Sequence, residues 1–325
     1  MKYQRVTLQD VAKAAGVSFA SVSAVLNGNG GKSIRVGKET KERILAVAKN
    51  LGYVPNQMAR NLKSGSPSLI AVFTYESIFP VESKSEFNDF FVGIEQEAER
   101  LGFDLLILNA KKAGAPSSRI TQASGGVMIG LNRDDEDIKT LARRNFPLVF
   151  VGRRDIPGVD THWVSFDYAS STREIIRLLD PKEGDSVAYL LAEGAETEPT
   201  KDKERVVREE LEKRKVRCER VIVGSEGLDA GAQNLLLASA TVIVDRLSLM
   251  PCVESWQDDH PEHLLHCAVL EDDWKGLNAQ WLCWENRRRD LGRLAVDHLA
   301  NLIGGKSTQG LPCLVDIPVV KPEDY

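Results

Sequence analysis

The chain has 325 residues, 42% hydrophobic and 27% charged, a composition that suits two or three packed domains and excludes collagen-like and disordered classes. No apolar run approaches the roughly eighteen residues of a membrane span, and the start Met1-Lys2-Tyr3-Gln4-Arg5 has no apolar signal core, so a cytoplasmic protein without a membrane partner is expected. Net charge is −5, yet residues 1–65 hold eleven Lys or Arg against three Asp or Glu, the asymmetry of a chain of which only one end meets phosphate.

In chain order, Thr7 is a good N-cap for a helix carrying Leu8, Val11, Ala12 and Ala15 at helical spacing, and Gly16 stops it. Ser18 can cap a second helix, Phe19 to Leu26, with Val22, Val25 and Leu26 inward and Ala20, Ser21, Ser23 and Ala24 outward. Asn27-Gly28 ends that helix. A Gly-rich loop leads to a third, about Lys38 to Asn50, with Ile44, Leu45, Val47 and Ala48 on its apolar side, and Gly52 closes it. Two short helices about a glycine turn, the second exposing small polar side chains on a basic segment, form a helix-turn-helix. Small residues matter there because bulk would hold the second helix off the major-groove floor.

The strings TLQDVAKAAGVSFASVSAVLNG and RVGKETKERILAVAKNLGYVPNQMARNLKSG resemble the DNA-binding head of the LacI/GalR (lac repressor-type) family of bacterial transcriptional regulators, from Thr7 to Gly65. The resemblance implies that Phe19, Ala20 and Ala24 read bases. It implies that Thr7, Ser18, Ser21, Ser23, Asn27 and Tyr53 bond phosphates, which fixes register. Two departures stand out: the loop between Asn27 and Val36 is long for the family, and Ala24 stands where many members carry a polar base-reading residue. Alanine cannot make a bidentate bond to guanine but can pack on a thymine methyl. Pro55 ends the third helix and Asn56 can cap a short hinge helix through Gly65, too short to stand alone in water. In the family this helix enters the minor groove; Ala59 and Leu62 match the base-facing positions, with Leu62 as the wedge.

From Ser68 the pattern becomes strand-helix-strand. Strands are predicted at Leu69–Tyr75, Leu105–Leu108, Val127–Leu131, Leu148–Val151, Val187–Leu191, Val221–Val223 and Val242–Val244, with helices at Phe90–Leu101, Ile138–Arg144, Ser171–Leu179 and Lys203–Lys213. Apolar strands alternating with helices indicate doubly wound parallel sheets, and their number implies two. The resemblance supplies the expected fold: an all-α helix-turn-helix head on an α/β, periplasmic-binding-protein-like body of two Rossmann-like lobes. The segments NDFFVGIEQEAERLGFDLLILNA (88–110) and RRDLGRLAVDHLANLIGG (288–305) fit the family's first body helix with its second strand and its late dimer-side helix. Expected boundaries are 1–55 for the head, 56–66 for the hinge and 67–325 for the body. Its first lobe takes about 67–160 and 286–305, and its second about 161–285 and 306–325. A first-lobe helix between Lys111 and Gly126 looks shortened or missing.

Ligands of such sheets sit beyond the carboxyl ends of the strands. The resemblance places Tyr75, Phe90, Asn109, Arg153, Asp167, Arg205, Arg246 and Asp272 around that cleft. Arg246 replaces the carboxylate that binds sugar hydroxyls in the family, so arginines at 153, 205 and 246 would favour an anion or a sugar acid over a neutral sugar. The other open reading is a ligand-free body. His260, His263 and His266 near Asp258, Asp259 and Cys267 suggest a metal site, but Pro261 interrupts any helix that would hold all three. The cysteines (Cys218, Cys252, Cys267, Cys283, Cys313) include no CxxC pair. No nucleotide-loop, GxSxG or HExxH pattern occurs, so no catalytic residue, cofactor or metal is expected. The expected function is a non-enzymatic regulator binding double-stranded palindromic operator DNA as a homodimer. A sugar derivative or an anion in the cleft is its candidate effector. A sugar carrier or enzyme on the same lobes is the rival, and a basic head serves neither.

Overall fold

Thr7 opens the first helix, α1 (Leu8–Ala15), with a capping box: its hydroxyl accepts the Asp10 N–H at 3.3 Å and the Asp10 carboxylate takes the Thr7 N–H at 2.8 Å. This satisfies two of the donors that a helix start leaves without partners. The computed structural model describes residues 6–27, 36–53, 69–75, 87–109, 116–130, 136–194, 197–272, 280–309, 311 and 313–321. Gly16 closes α1 at φ 64°, where a Cβ would crowd the following carbonyl. The Ser18 hydroxyl accepts the Ser21 N–H at 3.1 Å at the start of α2 (Phe19–Asn27). With α3 (Lys38–Asn50) these helices meet around Val11, Val22 and Ile44, all fully buried, while Ala12, Ala15 and Ala48 keep the approach close. Leu45, expected on the apolar side of α3, is instead 46% exposed. The inward row is Ile44 and Ala48, four apart, and one residue on from Ile44 is about 100° around the helix.

The chain divides into two units, Met1–Ser68 and Leu69–Tyr325. The second begins with β1 (Leu69–Thr74), α4 (Asn88–Leu101), β2 (Asp104–Asn109), α5 (Pro116–Ile120), β3 (Gly126–Ile129), α6 (Glu136–Arg143), β4 (Leu148–Val151) and β5 (His162–Phe166). It continues with α7 (Tyr168–Leu179), β6 (Ser186–Ala192), α8 (Glu198–Lys213), β7 (Arg217–Val223), α9 (Ala230–Leu237), β8 (Thr241–Val244), α10 (Met250–Asp259), β9 (His266–Asp272) and β10 (Leu282–Trp284). Then come α11 (Arg288–Ile303), β11 (Leu314–Val315) and β12 (Val319–Val320). Among the described residues two six-stranded sheets result, in the orders β11-β5-β4-β3-β1-β2 and β12-β10-β9-β8-β6-β7. Their strands pair in parallel, except that β12 runs antiparallel to β10. β1, β3 and β8 are buried almost throughout, as strands covered on both faces must be.

Two of the expected lobe crossings move. His162–Phe166 pairs with β4 and so belongs to the first sheet, which puts the first crossing after Phe166 and not near residue 161. The last comes after Val315 and not near 306, because Leu314 and Val315 pair with Ser165 and Phe166 before the chain reaches β12. Periodicity could not show this, because β5 opens with His162 and Trp163, which lack the continuous apolar run of its neighbours. Between residues 111 and 126 the short α5 is present.

On the first lobe, α4 and α11 touch backbone to backbone. A Cβ on Gly93 would stand 2.0 Å from the Arg289 carbonyl oxygen, and one on Gly292 2.4 Å from that of Phe90. Only glycine on both helices allows so close a crossing. The crossing fixes α11, and with it Arg288 at the helix start.

Candidate nucleic-acid interface and interlobe cleft

On the head, α2 carries its apolar line inward through Val22, with Val25 and Leu26 half-buried against the same core. The opposite face presents Phe19, 51% exposed, and Ala20, also exposed; Ser21, Ser23 and Ala24 are half-exposed beside them. This surface is shallow and small enough to enter a major groove. The Thr7 hydroxyl donates to the Asp10 carboxylate at 2.7 Å, and that bond holds Asp10 below the usual aspartate range. Ser18 and Ser21 hydroxyls lie 2.9 Å apart. Three of the expected phosphate partners therefore also organise the helix starts. Tyr53 is half-buried, packed against the head's core, and its N–H reaches the Ala48 carbonyl at 2.9 Å. Asn27 ends α2, its side chain outside the described residues, as are Asn56, Ala59 and Leu62 of the expected hinge helix.

In the body, a row of aromatic rings crosses between the lobes: Phe87, Phe90, Phe166, Tyr168 and Trp284, with successive centroids 6.4, 6.2, 5.9 and 5.6 Å apart. A cation lies over each part of this row. The Arg288 guanidinium sits 5.4 Å from the Phe90 centroid and the Lys203 ammonium 5.7 Å from that of Trp284. Lys203 is buried and donates to the carbonyls of Asp245 (3.0 Å) and Leu270 (2.8 Å), at the carboxyl ends of β8 and β9. Arg288 closes a bidentate pair with Asp272, Nε to Oδ2 at 2.6 Å and Nη2 to Oδ1 at 2.7 Å, with both side chains 7% exposed.

The remaining carboxylates are also engaged. Asp245, fully buried, accepts the Ala192 N–H at 2.9 Å and lies 3.5 Å from Arg246 Nε. Glu271 accepts the Leu247 N–H at 2.7 Å. Burial pushes both carboxyls up and the Lys203 ammonium down, since each charged form loses water. Burial likewise lifts the Tyr168 phenol above its ordinary range, with Asp272 adding to the effect.

The expected cleft residues therefore divide. Phe90 and Asp272 come together on Arg288. Asp167 caps α7, accepting the Ser170 N–H at 3.0 Å. Tyr75, half-buried at the end of β1, sets its ring edge-on to Phe73 at 5.0 Å. The side chain of Asn109 is outside the described residues. The three arginines expected to gather an anion are each paired with carboxylates of the chain itself. Arg153 reaches Asp155 (3.9 Å), Glu198 (3.9 Å) and Asp202 (3.5 Å), Arg205 reaches Asp202 (3.9 Å) and Glu209 (3.1 Å), and Arg246 lies beside Asp245. Sequence reasoning missed Lys203 and Arg288, the two cations at the centre: Lys203 lies in a charged run that reads as solvated helix, and Arg288 opens the segment matched to the family's late dimer-side helix.

Two residues of the histidine run, His260 and His263, serve packing. His260 stacks on Trp256 at 4.3 Å, and His263 Nε2 lies 3.0 and 2.9 Å from the Leu236 and Ser239 carbonyls. Both partners only accept, so that nitrogen carries the hydrogen. Among the described residues no group of three or more His, Cys, Asp or Glu could hold a metal ion, and no helix is long and apolar enough to cross a membrane.

The family profile described as bacterial regulatory proteins, lacI family, matches residues 7–56. The sucrose operon repressor of Klebsiella pneumoniae is 30% identical over 196 residues, 58% of this chain and 56% of the relative. The lactose operon repressor of Escherichia coli (strain K12) is 28% identical over 176 residues, 52% of this chain and 46% of its own. The chain thus spans about half the length of the curated relatives it matches. A lac repressor dimer solved with operator and the anti-inducer ONPF superposes with a TM-score of 0.69 at 21% identity, over 98% of each chain. The chain therefore joins a head similar to that of the lacI regulatory proteins to a two-lobed body of periplasmic-binding-protein-like fold, and it resembles the LacI/GalR family of bacterial transcriptional regulators.

Proposed function

We propose that the protein is a cytoplasmic transcriptional regulator, acting as a repressor, that binds a palindromic operator as a homodimer and catalyses no reaction. The observation that carries this reading is the α2 face. Phe19 and Ala20 are exposed on a helix held by a glycine turn, on a segment with eleven basic and three acidic residues. One such helix reads only a few bases, so specificity requires two half-sites about one helical turn apart, read by two copies related by symmetry. Support for a second copy comes from the sheet edges. Ile107 on edge strand β2 is 45% exposed and Ile222 on edge strand β7 is 52% exposed, and a strand edge offers unpaired N–H and C=O groups to which a second chain can add.

The test is selection from a random duplex pool, followed by sedimentation and salt titration of the selected site. The expected result is a dimer on a near-palindrome whose affinity falls steeply with salt. A monomer with no sequence preference would overturn the reading. For the body, a second reading is favoured by a specific observation: the arginines at 153, 205 and 246 and the carboxylate of Asp272 are taken by partners within the chain. That supports operator binding that does not wait for a sugar or an anion in the cleft.

A further inference from the structure

We propose that the cleft contains a guanidinium-binding site which the chain fills with its own Arg288, so that an internal side chain does the lobe-holding work of a bound effector. This rests on reading the body as an effector-type body. Three observations define the site. Asp272, the last residue of β9 in the second lobe, offers both carboxylate oxygens to Nε and Nη2 of Arg288, at 2.6 and 2.7 Å. The planar fork of arginine matches a carboxylate in this way and an ammonium does not. Phe90, on α4 of the first lobe, lies under the guanidinium at 5.4 Å, which gives the cation a π face in a buried place. Glu271 adds a second negative group 4.0 Å from Nη2. A carboxylate, an aromatic face and a further acid around a flat cation make a site of defined chemistry, and its occupant is covalently attached.

The attachment point gives the site its consequence. Arg288 begins α11, which is locked to α4 of the first lobe by the Gly93–Gly292 crossing and by Asp89, which accepts from Asn286 (2.8 Å) and Arg289 (3.0 and 3.1 Å). Asp272 belongs to the second sheet. The pair therefore ties one lobe to the other, where a free ligand would otherwise bridge them. A tethered ligand has no concentration dependence, so the lobes stay in one arrangement whatever the pool of small molecules.

The experiment compares the full-length protein with Arg288→Ala and Arg288→Ala/Asp272→Ala by thermal unfolding, with and without millimolar methylguanidinium. Sodium chloride at the same ionic strength is the control. The expected result is a fall in midpoint of roughly 10 °C for Arg288→Ala, because removing one partner leaves a buried charge alone. Methylguanidinium should return about 2 °C or more to Arg288→Ala and nothing to wild type or to the double variant. An unchanged midpoint in Arg288→Ala, no recovery with methylguanidinium, or an equal response in wild type would overturn the proposal. If Arg288→Ala fails to fold, Arg288→Met/Asp272→Leu replaces it. Beside it Arg288→Met, which keeps an apolar stem against Phe90, leaves Asp272 open: methylguanidinium should raise its midpoint and leave wild type and Arg288→Met/Asp272→Leu unmoved. No response, or an equal response in all three, would overturn the proposal. Operator binding by the wild type is read separately, so its failure would remove the regulatory reading and leave the thermal result standing.

Discussion

The head and the body build their sites by opposite means. In the head, Phe19, Ala20 and Ala24 lie on one helix, and the serines that start it are their chain neighbours. The site is a local surface, and its chemistry faces outward. In the body the central groups come from Phe90, Lys203, Asp245, Asp272, Trp284 and Arg288, scattered over two hundred residues, and each is spent on another. A local surface can lose function without losing fold; a buried network cannot. Changes in the head should therefore show first in binding, and changes in the body first in stability.

The largest expected effect tests the head. Ala20→Asp puts a carboxylate on the exposed face of α2, where it meets phosphate repulsion and no matching donor. Affinity for the selected operator should fall about 100-fold or more, while the helical circular-dichroism signal and its melting stay as in wild type. Retained affinity would mean that α2 does not enter the groove.

Next comes Gly93→Ala in the body. A Cβ 2.0 Å from the Arg289 carbonyl oxygen has only backbone to displace, so α4 and α11 must part, at a cost of about 3 kcal/mol. Calorimetry should show the body's transition lowered and the head's unmoved. A shift in both would make the two units one cooperative block.

A smaller effect is expected at the α1 start. Thr7→Ala removes the cap and should cost the head about 1 kcal/mol, read by chemical denaturation at neutral pH. The capping box also has a pH signature. Asp10 is held below its ordinary range by Thr7, so its contribution is complete above the ordinary aspartate pKa. It is lost as pH falls through the depressed value. In Thr7→Ala that acid-side decline should flatten; an unchanged profile would assign it to another carboxylate.

The smallest effect sharpens the comparison from the body's side. Arg153 is 43% exposed and its carboxylates stand at 3.5–3.9 Å. Arg153→Gln should therefore change stability by no more than about 0.5 kcal/mol, and less in high salt. A loss matching that of Gly93→Ala would show that the rim of the cleft matters to the body's stability as much as the buried glycine crossing does.

How much of this was legible in the sequence follows the same division. Thr7, Gly16, Ser18 and the apolar rows of three helices act within a few residues, so caps, stops and inward faces could be read directly; Leu45 was misplaced because two adjacent positions compete for one face. The alternating strands also announced two parallel sheets, since strands covered on both sides need continuous apolar runs. Tertiary structure alone decided which sheet takes His162–Phe166, because that choice is made by a hydrogen-bonded neighbour and not by the strand's own composition. It alone decided that Lys203, in a charged helix, and Arg288, in the triplet of arginines that opens α11, turn inward. A charge can be buried only where partners from other segments replace its water, and those partners, Leu270, Asp245 and Asp272, lie 16 to 67 residues away along the chain.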